Sequence, residues 1–303
     1  MDATSSAHTV KAPFAARALA RRSCAPLALV FLFSVIYSSV SAQAPSQQES
    51  YAPSSLNPVQ KEIERQRQRL GSADTEERRD AVMRLGSMSR PDSSRVAAGA
   101  LRDPAPIVRA TAARAVLSLP AGEAVGLLLP SLQDRDQFVR QETAYALGET
   151  RSSVAVSALV TILAGDKEPG VRAAAAVALG MIRDELAVIP LTEALILRVP
   201  APGLLNRVLR KKTEQNEFVR RAAARALGQI GSRAAVPMLS RTLIDDRAGD
   251  DVRREAARAL GQIGDPSSAA VLRAVLSSRD PYLSRIAYEA LRKIAPNEAP
   301  RPL

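Results

Sequence analysis

Histidine and cysteine each occur once in the 303 residues, as His8 and Cys24; tryptophan does not occur, and aromatics make up 3% of the chain. Past residue 24 there is no imidazole and no thiol. That part of the chain therefore supports no Ser-His-Asp or Cys-His catalysis, no Cys/His zinc site and no His-ligated iron. Aromatic rings supply much of the bulk in an ordinary globular core, so a chain this poor in them has to fill its interior with Ala and Leu, as arrays of helices do. No apolar run reaches the 20 or so residues a membrane-spanning helix needs. What is abundant is basic charge, with 42 Lys and Arg against 31 Asp and Glu, a net of +11.

The longest apolar run, LALVFLFSVIY at residues 27–37, follows Lys11, Arg17, Arg21 and Arg22 and precedes Ser41-Ala42-Gln43. A basic stretch, a short apolar run and small residues before a polar one make a secretory signal peptide over 1–42, cleaved after Ala42. The expected location is secreted or periplasmic, with membrane anchoring by residues 25–42 as the alternative. Cys24 precedes the run, so it is not a lipoprotein cysteine. Without these residues the chain carries a net +8. Residues 43–57, rich in Gln, Ser and Pro, read as a flexible linker, and residues 296–303 as a disordered tail.

A twelve-residue word recurs along the remainder: VRAAAAVALGMI from Val171, VRRAAARALGQI from Val219, VRREAARALGQI from Val252 and VRQETAYALGET from Val139. VRATAARAVLSL from Val108 lacks only the glycine, and weaker copies start at Glu77 and Leu283. The second position falls at 78, 109, 140, 172, 220, 253 and 284, so one unit carries extra residues, at about 198–213. Apolar positions one, five, eight, nine and twelve share one helical face. Second apolar segments at 153–164, 185–197, 234–244 and 267–276 turn each unit into a helical hairpin. No hairpin buries its stripe alone, so the expected fold over 58–295 is all-α, a right-handed α-solenoid of about seven helical hairpins.

Asp-x5-Arg followed by Ala-Ala-x-Ala-Leu-Gly-x-Ile, with prolines in Ile189-Pro190-Leu191 and Val236-Pro237-Met238, resembles HEAT-like repeats of the phycobilisome-lyase type over about residues 58–295. The resemblance implies a scaffold that holds other proteins, with the second helix of each hairpin on the concave face. Some relatives are enzymes or bind DNA. Likeness to the bilin lyases implies chromophore attachment to an acceptor cysteine, although the match is to the repeat word and not to catalytic residues.

Three groups of residues stand out. Asp103 and Arg109, Asp134 and Arg140, and Asp166 and Arg172 lie six apart, with Glu214 and Arg220 similar and Arg253 at the same place in its word. Arginines there reach turn carbonyls and the acid of their own or the next repeat, forming a structural ladder. The exposed ridge of the second helices is apolar in the middle (Tyr145, Val177, Met181) and basic further on (Arg221, Arg225, Arg254, Arg258). An apolar anchor beside arginine has the composition of a protein-binding hot spot. In the insertion, Leu204, Leu205 and Val208 recur at helical spacing beside Arg207, Arg210, Lys211 and Lys212. That is a short basic amphipathic helix suited to a partner groove or an anionic membrane surface.

No catalytic, cofactor or metal residue is expected. The leading expectation is therefore a non-enzymatic scaffold that holds another protein on its concave ridge. The alternatives are a basic solenoid binding nucleic acid, disfavoured by diffuse charge, and an accessory enzyme like the bilin lyases.

Overall fold

The computed structural model describes residues 56–196, 198–200 and 212–298. They form fourteen α-helices and one short pair of strands. The helices pair into seven hairpins. These are α1 (Pro58–Arg69) with α2 (Thr75–Ser87), α3 (Pro91–Ala98) with α4 (Pro106–Ala115), α5 (Ala121–Leu128) with α6 (Gln137–Glu149), and α7 (Val156–Gly165) with α8 (Pro169–Ile182). The remaining three are α9 (Val188–Ala194) with α10 (Glu217–Ile230), α11 (Val236–Ile244) with α12 (Asp250–Ile263), and α13 (Ala269–Ala274) with α14 (Pro281–Ile294). Each second helix packs on the next, from α2 through α14, so the chain is an all-α solenoid. Every repeated word falls on a second helix.

Local chemistry sets the helix limits. Asp74, Asp136, Asn216 and Asp280 accept backbone N–H bonds as N-caps, and proline occupies the first turn of α1, α3, α4, α8 and α14, where its missing N–H costs nothing. The residue after the word is left-handed in five repeats: Ser89, Arg151, Arg183, Gly231 and Gly264. The first helices expected at 153–164, 185–197, 234–244 and 267–276 each open with a 3₁₀ turn instead of a full α turn.

The core is built from small residues, as the scarcity of aromatics requires. Its largest fully buried side chains are all leucines, and alanines fill the contacts between second helices. The tenth position of the word explains how close those helices come. A Cβ on Gly148 would lie 2.7 Å from Cα of Ala178, and one on Gly180 or Gly228 would lie 2.8 Å from Cα of Ala226 or Ala259. In each case the glycine of one word meets the eighth-position alanine of the next. The second repeat has Leu117 at that place and Pro120 where the left-handed residue falls. Its helix α4 accordingly ends early, at Ala115, because a side chain does not fit the close approach and proline cannot adopt positive φ.

At the extra residues, β1 (Arg198–Pro200) pairs antiparallel with β2 (Lys212–Glu214), Val199 facing Thr213. The sequence reading had no strand there. The expected amphipathic helix, with Leu204, Leu205, Arg207, Val208 and Lys211, lies outside the described residues, as do the signal segment and most of the linker. Among the described residues, no helix is long and apolar enough to cross a membrane.

Candidate functional site

The repeated arginines sit in the first turn of the second helices, and their guanidinium groups point along the stack. Arg109 places Nε and one terminal nitrogen on Asp134 at 2.7 and 2.8 Å, while its other nitrogen donates to the carbonyls of Asp103 and Pro104. Arg140 does the same to Asp166 at 2.7 and 3.0 Å. Arg78, which the sequence reading passed over, does it to Asp103 at 2.7 and 2.9 Å. Each acid belongs to the following repeat, and each also accepts the backbone N–H two residues ahead. Bonding from Arg78 and Arg109 holds the Asp103 and Asp134 carboxyls below their usual range. At Asp166 burial works the other way, and the Arg140 and Glu168 bonds outweigh it.

The pattern changes at the extra residues. Arg172 keeps the turn carbonyls of Asp166 and Lys167 but meets Gln215 Oε1 at 3.2 Å. The side chain of Glu214, the acid expected there, lies outside the description. Arg220 donates to the carbonyls of Leu195 and Ala248, and Arg253 to that of Leu243, with Asp246 at 3.1 Å.

On the second-helix ridge, Tyr145, Val177 and Met181 are half-buried, and Met181 sulfur covers Gly148. The basic part is a network rather than a free patch. Arg221 meets Asp251 at 3.1 Å and lies over the Phe218 ring. Arg254 spends its donors on Asp280 and Asp251 and lies over Tyr282. Arg225 and Arg258 both donate to Oε1 of Glu255, each at 2.8 Å.

The same face carries a groove of about 420 Å³ across α2, α4 and α6. Met83, Ile107, Ala110 and Phe138 make its apolar lining, and Arg79, Arg114 and Glu142 its polar edge. Met83 and Phe138 are exposed, and Arg114 stands 3.7 Å from both Glu142 and Glu149. The sequence held a signal for this groove, since apolar Ile107 and Phe138 both directly precede a repeat word. Among the described residues, no cluster of three or more His, Cys, Asp or Glu is placed to hold a metal.

A family model of HEAT repeats matches residues 63–147, 125–201 and 247–303, and the PBS lyase HEAT-like repeat matches 219–245. The chain belongs to the HEAT-repeat proteins. An alignment of 106 positions that covers 32% of the chain is 37% identical to phycocyanobilin lyase subunit alpha of Synechococcus elongatus, and the chain spans about two fifths (39%) of the length of that curated relative. The fold is shared with a solved E. coli protein, and a weaker likeness is found in a second structure. The E. coli protein YibA has a TM-score of 0.53 at 20% identity, over 78% of this chain and 81% of that one. The complex of CpcE and CpcF of phycocyanin lyase from a Nostoc species gives 0.47 at 24%, over 82% and 92%.

The match to a lyase subunit overturns the expectation that the chain is no enzyme. That expectation rested on the missing imidazole and thiol. A reaction whose thiol belongs to an acceptor and whose rate comes from positioning needs neither.

Proposed function

We propose that this chain is a bilin-lyase-like HEAT-repeat protein that holds an acceptor protein on its second-helix face and brings a bilin to it. The observation that carries the reading is the 37% identity to phycocyanobilin lyase subunit alpha. The repeat architecture supports protein capture, because stacked hairpins present a long surface made of many modest contacts. The groove over α2, α4 and α6 supports a place for the chromophore. Its apolar lining suits conjugated rings, and Arg79 and Arg114 at its edge suit the carboxylates a bilin carries.

In this mechanism the acceptor supplies the cysteine and the chain supplies orientation. Holding thiol and chromophore together replaces a bimolecular encounter with a near-unimolecular one, an effect that reaches about 7–11 kcal/mol in well-aligned cases. The test is incubation of the chain with a phycobiliprotein apo-subunit and phycocyanobilin, reading covalent chromophore by zinc-induced fluorescence on denaturing gels. Faster labelling of one acceptor cysteine with the chain present is expected, with about a tenfold loss for Met83→Lys. Labelling at the same rate and with the same products in its absence overturns the reading.

A further inference from the structure

Glu255 is a buried acid whose two oxygens are treated differently. Oε1 accepts from both Arg225 and Arg258 at 2.8 Å, whereas Oε2 is buried and has no hydrogen-bond partner. Its side chain is 7% exposed, against 53% for Arg225 and 47% for Arg258. The buried aspartates of the ladder instead use both oxygens on one arginine fork. A link built for stability alone satisfies the whole carboxylate, because an unpartnered buried oxygen is costly. Here one oxygen fixes two guanidinium groups, from neighbouring repeats, within no more than twice a hydrogen-bond length of each other. Each arginine donates one hydrogen bond to Glu255 and keeps about half its surface in solvent, so donors remain free on the outer side. Arg254 on the same ridge is less available, since it gives three donors to Asp280 and Asp251.

We propose that Arg225 and Arg258 form a clamp for a carboxylate of an acidic segment on the partner protein, with Glu255 as the residue that positions them. This rests on the reading that the second-helix face holds a protein, and names the chemistry received at α10 and α12. A discrete carboxylate fits better than a run of phosphates. Asp251 and Glu289, 48% and 56% exposed on the same ridge, would repel a polyanion that extended past the pair.

The test uses the full chain and a fluorescein-labelled eight-residue peptide with one central glutamate among glycines and serines, amidated at its C-terminus, followed by anisotropy at low salt. Wild type binds. Glu255→Gln adds a net positive charge but replaces two charge-assisted bonds with weaker neutral ones and so loosens the two guanidinium groups; at least fivefold weaker binding is expected, where a general attraction to positive charge gives tighter binding. Arg258→Lys, which keeps the charge and loses the fork, weakens binding by a similar factor, and Arg241→Lys on α11 leaves it unchanged. Thermal melts of each variant separate loss of the clamp from loss of the fold. Tighter binding by Glu255→Gln, equal effects of the two lysine variants, no binding by wild type, or equal capture of an eight-nucleotide thymidine strand overturns the clamp. Capture of an acceptor protein that persists when the peptide fails leaves the face in place and removes only the acid-recognition chemistry.

Discussion

Asp134 is the most informative single residue. It closes a two-point bridge from Arg109, and both side chains are mostly buried. Asp134→Ala leaves the guanidinium with its two carbonyl partners and no counter-charge, which costs about 3 kcal/mol and is checked by urea unfolding. The ladder acids also set the acid limit. Their carboxyls titrate lower when folded than the usual value of about 3.9. Their stabilisation is therefore fully present above that value and is lost as pH falls through the lower folded value. Unfolding free energy should stay level from pH 8 to about 5 and fall steeply below 4; a decline beginning near pH 6.5 contradicts this. Arg183 offers the opposite sign. It is exposed and held at φ 60°, so Arg183→Gly should stabilise the protein by about 0.5–1 kcal/mol, read from the same unfolding curves.

Much of this scale was legible in the sequence, because arginine and acid recur in fixed places within a repeat. The direction was not. The spacing left each arginine the acid of its own or the next repeat, and Arg140 takes the Asp134 backbone carbonyl and sends its fork onward to Asp166. Arg78 escaped notice because Ser72, and not an acid, lies six residues before it. Glu255 was unremarkable among many charged residues until burial singled it out.

Between elements, the glycine-to-alanine contact governs spacing. Gly148→Ala raises helix propensity by about 1 kcal/mol, yet its new Cβ meets backbone of α8 at 2.7 Å. Helices α6 and α8 then have to move apart, so the substitution should be net destabilising, by about 1–3 kcal/mol. A stabilised protein by thermal melt contradicts the close approach. The sequence placed the tenth-position glycines only near helix ends, since no single repeat reveals what faces it from the next. The 3₁₀ openings of the first helices, and the strand pair flanking the extra residues, were likewise illegible, for both depend on how neighbouring turns meet rather than on apolar periodicity.

Over the molecule, stacking makes each hairpin lean on its neighbours, and the seven second helices give one face a row of presented side chains. Periodicity alone was enough to read this architecture, because a word that returns seven times leaves few ways to bury its stripe. Function was less legible. The absence of histidine and cysteine argued against chemistry within the chain and obscured a role in positioning chemistry between others. Export with cleavage after Ala42 is a rival proposal, since an exported chain would not meet the acceptor protein. Intact mass of the protein recovered from its native cells should give a chain beginning at Gln43, and a species retaining Met1 contradicts it.

The most direct measurement is hydrogen–deuterium exchange of the chain with and without a phycobiliprotein apo-subunit. The account predicts slowed exchange along α2, α4 and α6 around the groove and along α10 and α12 at the arginine pair, with the first helices α7, α9 and α11 unchanged. Protection confined to those first helices, or no protection at all, contradicts it.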